Sequence, residues 1–153
     1  MNCKKGFTLV EILIVVIILG ILAAIVIPQF TEASNDARES ALTSDLQTVR
    51  SQLELYKVQH NEKYPNLDEN DAADTANFEN RLTGKTDQDG KINAAGAYGP
   101  YLHKWPTNAF MSTNATKVNF GAVDGTGDGT SGWYFNTASG KFQANDSAAH
   151  AAL

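Results

Sequence analysis

The chain has 153 residues, 42% of them hydrophobic, with a formal charge of −5, one cysteine and three histidines. That length supports one domain of ordinary size, and an acidic chain without a Lys/Arg cluster excludes nucleic acid as a default partner, because phosphate binding is driven by basic side chains releasing counterions. The lone cysteine, Cys3, excludes an internal disulfide.

The hydrophobic content is concentrated at one end. Residues 1–6 are short, polar and basic and stop abruptly at Phe7. From Ile12 to Ile27 every residue is apolar or Gly, and residues 7–27 make about 30 Å of helix at about 1.5 Å per residue, the thickness of a bilayer core. Lys4 and Lys5 predict a cytoplasmic N-terminus, with the C-terminal part outside. A secretory signal peptide would be cut after its apolar region. Here the basic stretch ends ahead of that region, and Glu11 together with the further apolar run to Ile27 argues against cleavage at Ala23-Ala24.

Glu11 is the one carboxylate in the span. Such a group costs on the order of 3 kcal/mol on insertion scales and usually marks a functional partner. Solvation among the cytoplasmic headgroups is the bland reading, which would suffice for an isolated anchor.

Pro28 removes a helical donor and should kink or locally melt the helix near its exit from the membrane. Polar but periodic sequence follows. Phe30, Ala33, Ala37 and Ala41 lead into Leu42, Leu46, Val49, Leu53 and Tyr56 at spacings of three and four, which predicts an amphipathic continuation over 29–62 with the helix ending near His60. Tyr64-Pro65 announces that end.

Residues 65–97 carry loop chemistry, including an Asp87-Gln-Asp-Gly90 turn, with a short helix expected over 76–82. Strands are expected over 117–123, 132–136 and 141–144, the last two joined by Thr137-Ala-Ser-Gly140 as a hairpin turn, giving a small antiparallel sheet. Asp124-Gly-Thr-Gly-Asp-Gly129 matches the start of a calcium loop. It has Phe135 where an EF-hand needs its twelfth-position acid, so it fails as an EF-hand and is ordinary as a Gly-rich turn. His60, His103 and His150 read as solvated surface residues, and no Gly-x-Ser-x-Gly elbow occurs, so the sequence offers no catalytic set.

The string Gly6-Phe7-Thr8-Leu9-Val10-Glu11, followed by the Ile/Leu/Val run and Pro28, resembles the type IV prepilin signature of type IV pilins and type II secretion pseudopilins. The segment Gly99-Pro-Tyr-Leu through Phe110 is similar to the corresponding region of the major type II secretion pseudopilin, with Ala109 where proline is common. The resemblance implies an α+β fold, a pilin lollipop with a long N-terminal helix packed on a small C-terminal antiparallel sheet. It divides the chain into a prepilin leader (1–6), a transmembrane and assembly helix (7–28), an amphipathic helix (29–62) and an exported domain (63–153).

It also implies cleavage between Gly6 and Phe7 by a prepilin peptidase, N-methylation of Phe7 by the same enzyme, and pairing of Glu11 with the Phe7 ammonium of a neighbouring subunit. Gly20 and Pro28 would bracket a stretch of helix that can extend in the filament; Gly20 reads equally well as a small residue for close helix contact. The implied partners are further copies of the chain, minor pilins or pseudopilins and an inner-membrane assembly platform. No cofactor is required, but the absence of disulfides fits pseudopilins that bind a structural calcium, with Asp124 and Asp128 as candidate ligands. The implied function is a filament subunit, a major pseudopilin in the inner membrane and periplasm; a type IV pilin for adhesion, twitching motility or DNA uptake is the alternative.

Overall fold

The computed structural model describes residues 6–153, so most of the expected leader, with Cys3, Lys4 and Lys5, lies outside the described residues. The described elements are α1 (Leu9–Gln59), a 3-10 turn (Thr75–Asn77), α2 (Phe78–Thr83), β1 (Val118–Gly121), β2 (Trp133–Asn136), β3 (Phe142–Ala144) and α3 (Ala148–Ala151). The chain separates into two compact units, Met1–Glu39 and Ser40–Leu153.

In the first unit the described residues are all exposed, Phe7 at 85% and Phe30 at 77%. Pro28 lies inside α1, which stays helical through it, so the local melting expected there does not occur. A proline deletes one donor and crowds one carbonyl at a cost of about 3 kcal/mol, while the turns on either side keep their own bonds. The Thr31 hydroxyl donates to the Ile27 carbonyl at 3.1 Å, adding a side-chain bond next to the lost one.

In the second unit the α1 stripe is buried from Leu42 onward: Leu42, Leu46, Val49, Leu53 and Tyr56 are each 2% exposed or less. Phe30, Ala33, Ala37 and Ala41, expected on the same stripe, remain exposed. The buried positions join Phe78, Leu82, Leu102, Trp105, Val118, Trp133, Phe135, Phe142 and Ala144 in one core. Burying a large apolar side chain is worth about 1.5–3 kcal/mol. The aromatics lock together edge-on, as in Phe78 against Phe120 at 5.3 Å and Trp105 against Phe142 at 5.9 Å. Past Gln59, Asn61 and Glu62 take positive φ of 55° and 63°, which turns the chain off the helix axis.

The α+β class stands, but the sheet is mixed rather than wholly antiparallel. Its order is β1-β2-β3, with β2 and β3 antiparallel as expected and β1 parallel to β2, Val118 opposite Trp133 and Gly121 opposite Asn136. The Gly-rich segment is therefore not a hairpin turn. Residues 122–132 are long enough to carry the chain back along β1, close to the dozen residues that a parallel connection needs. The return is fixed by Gly132 N–H donating to the Asn114 carbonyl at 2.9 Å and Trp133 N–H to the Lys117 carbonyl at 3.0 Å. The short helix arrives as expected, as the 3-10 turn and α2.

Residues 65–97 are held by a buried charge that local spacing does not reveal. Arg81, 2% exposed, donates to the carbonyls of Gly90 (3.0 Å), Pro65 (3.1 Å) and Asp74 (3.1 Å) and pairs with the Asp74 carboxylate at 2.7 Å. A buried guanidinium is tolerated because all these donors find acceptors.

Candidate functional site

The N-terminal site is built on the start of α1. Gly6 and Phe7 are exposed and precede the helix, so the peptide bond between them lies outside regular structure. Thr8 is the N-cap and Glu11 the third helical residue. Thr8 N–H and Thr8 Oγ1 donate to Glu11 Oε2 at 2.7 and 2.8 Å, while Glu11 N–H donates to Thr8 Oγ1 at 3.3 Å. This is a reciprocal capping box, and it satisfies donors that the first helical turn leaves without partners. Its sequence signature is Thr8-x-x-Glu11, which the charge of Glu11 in an apolar span masks. Both of Thr8's donors fall on Oε2. The apolar flank beside the site is lined by Leu9, Ile12, Leu13 and Val16, where an unpaired carboxylate is costly.

The two candidate calcium ligands, Asp124 and Asp128, accept from different donors. Asp124 lies by the β2–β3 turn, with Oδ1 accepting from Asn136 Nδ2 at 2.7 Å and Oδ2 from Lys141 Nζ at 3.0 Å. The Asn136 amide and then the Lys141 ammonium hold this carboxyl below the usual carboxylate range. Asp128 lies at the other end of β2, its Oδ1 accepting from Thr130 N–H (3.0 Å), Thr130 Oγ1 (2.7 Å) and Asn145 Nδ2 (2.7 Å). The Thr130 backbone donor is the main cause of its lowered pKa. The partners of Asp124 thus lie at the β2–β3 turn, and those of Asp128 at the start of β2 and just past β3. Among the described residues no group of three or more His, Cys, Asp or Glu is placed to hold a metal ion.

The histidines depart from the solvated reading in two of three cases. His60 is fully buried, stacked on Tyr56 at 3.8 Å, with Nδ1 on the Tyr56 carbonyl and Nε2 on Thr86 Oγ1, both at 2.8 Å. His150 is half-buried, its Nδ1 2.5 Å from Asp146 Oδ2 and its ring against Phe110 at 4.5 Å. His103 is exposed. None of these arrangements presents a nucleophile with a base.

The prokaryotic N-terminal methylation motif matches residues 1–27. That match lies within the N-terminal segment alone. The chain is also similar to the type II secretion system core protein G of Dickeya chrysanthemi, 38% identical over 66 residues that cover 43% of this chain and 42% of that one. The protein of the same name from Pseudomonas aeruginosa is 42% identical over 62 residues, covering 40% and 43% respectively. That of Escherichia coli is 36% identical over 62 residues, covering 40% and 42%. The prepilin-like similarity thus spans less than half the length of these relatives. No solved structure matches the chain significantly.

Proposed function

We propose that the chain is the structural subunit of a pilus-like filament, the major pseudopilin of a type II protein secretion system. The observation that carries this reading is the prepilin-like N-terminus, Gly6-Phe7 and a capped Glu11 ahead of an apolar helix, in a chain that is similar to core protein G. Its role is structural rather than enzymatic.

In this reading α1 anchors the newly made chain in the inner membrane with its N-terminus in the cytoplasm and the Ser40–Leu153 unit in the periplasm. A prepilin peptidase cuts between Gly6 and Phe7 and methylates the new amine. The Phe7 ammonium of one subunit then meets Glu11 of its neighbour. Each ion loses hydration in a low-dielectric surrounding, and pairing is the available compensation. The exposed Ile, Leu and Val surface of α1 must be covered by lipid or by other copies, and its burial is worth roughly 25 cal/mol per Å² relative to water. Growth from an inner-membrane platform, together with minor pseudopilins, would let the filament push folded proteins outward.

Deleting the gene tests the proposal. Loss of exoprotein export with surface piliation unchanged is the expected result. Normal export accompanied by loss of surface pili would replace the secretion role with that of a type IV pilin.

A further inference from the structure

The family resemblance implies a calcium ion in the C-terminal loops, and the donors of residues 122–132 are committed elsewhere. Asp124 has each of its oxygens on a side-chain donor, one of them the Lys141 ammonium. Asp128 takes three donors on one oxygen at the far end of β2. Between them, Gly125 N–H donates to Gln143 Oε1 at 3.0 Å and Gly129 N–H to the Asn145 carbonyl at 2.7 Å, so the crossover is stitched to β3 and the residue after it.

We infer that this crossover is locked at two separate points by internal donors, with the Lys141 ammonium and the Asn136 and Asn145 amides standing where a divalent cation would otherwise be needed. Asp124 is paired with an ammonium and Asp128 is held by three neutral donors, so the loop's order does not depend on calcium. The arrangement is a property of the folded Ser40–Leu153 unit and holds whatever filament the chain enters.

Asn145 is buried, and its Oδ1 has no hydrogen-bond partner while its Nδ2 serves Asp128 Oδ1 and Ser131 Oγ. Turned over, the amide would set its oxygen against Asp128, an approach that only a bound cation would favour.

The full chain in detergent micelles is melted in calcium chloride and in chelator, and the cleavage of residues 122–132 by a protease is followed in both. The expected result is one melting midpoint and one cleavage rate for the unaltered chain. Asn145→Ala is expected to lower the midpoint equally in both conditions. Lys141→Gln, a substitution at a half-exposed site that leaves the core intact, is expected to speed cleavage of the loop in both. A midpoint that rises with calcium, or a loop cut faster in chelator, overturns the inference. So does a Lys141→Gln chain cut at the original rate.

Discussion

His60 closes the C-terminal end of α1 as a neutral ring. The Tyr56 carbonyl can only accept, so Nδ1 carries the proton and Nε2 accepts from the Thr86 hydroxyl. Burial pushes its pKa below the ordinary 6.5, a tendency opposed by the bond to Tyr56, a backbone contact at Asp87 and the charge of Asp89. Tyr98 and Tyr101 face the ring edge-on and complete its surroundings. The sign of the consequence follows from linkage. As pH falls below 6.5 the unfolded chain takes up a proton on this ring that the folded chain resists, so stability is present above that value and is lost as pH falls through the folded pKa. Denaturant titrations from about pH 7 down to about pH 5 should show a falling midpoint that flattens in His60→Gln. An identical slope in the variant would assign the pH dependence to other groups. The sequence placed His60 at the helix end correctly; that the end is buried under residues 85–101 depends on contacts distant in the chain.

At the scale of elements, α1 carries two kinds of apolar residue that look alike in one dimension. Leu22 and Leu46 sit on the same helix, yet Leu22 is 53% exposed and Leu46 is 1% exposed. Truncating the buried one removes its transfer free energy and leaves a cavity, so Leu46→Ala should cost about 2–5 kcal/mol. Leu22→Ala should change stability by no more than about 0.5 kcal/mol. Chemical denaturation of both variants in detergent, followed by the near-ultraviolet signal of Trp133, checks the contrast. Equal losses would mean that the Met1–Glu39 unit is packed against something in the single chain. The sheet teaches a related lesson. The three strand segments were legible from alternation and turn residues, and so was the β2–β3 hairpin, because Thr137 to Gly140 lie next to both strands. The parallel pairing of β1 was not, since it depends on Asn114 and Lys117 capturing the start of β2.

For the molecule as a whole, the described part of the first unit leaves its apolar residues uncovered, while Glu11, the one carboxylate in the apolar span, is held by Thr8. Glu11 has two roles in the proposed filament, capping its own helix and pairing with a neighbour. Glu11→Gln separates them. A glutamine can still complete the capping box, so the helix and its insertion should persist, but the ion pair is lost. The chain is expected to accumulate in the membrane fraction at its usual level while sheared or cross-linked filaments fall by at least about tenfold, the change that 1.4 kcal/mol represents. Filaments at the ordinary yield would show that charge pairing at this position does not drive assembly. Thr8→Ala should instead weaken the cap by about 1 kcal/mol without removing the charge.

The amino-acid sequence alone determined the features that depend on neighbouring residues: the prepilin-like Gly6-Phe7 and Glu11, the apolar span, the periodicity of α1, the strand segments and one hairpin. Each is a matter of local spacing, where a few adjacent side chains set period, charge or turn chemistry. Tertiary structure decided what long-range packing controls. It buried His60 and Arg81, ended the covered part of α1 at Leu42, turned β1 parallel to β2, and placed Asp124 and Asp128 at opposite ends of one strand. Those outcomes follow from which distant groups satisfy a buried donor or fill a core, and no local spacing encodes them.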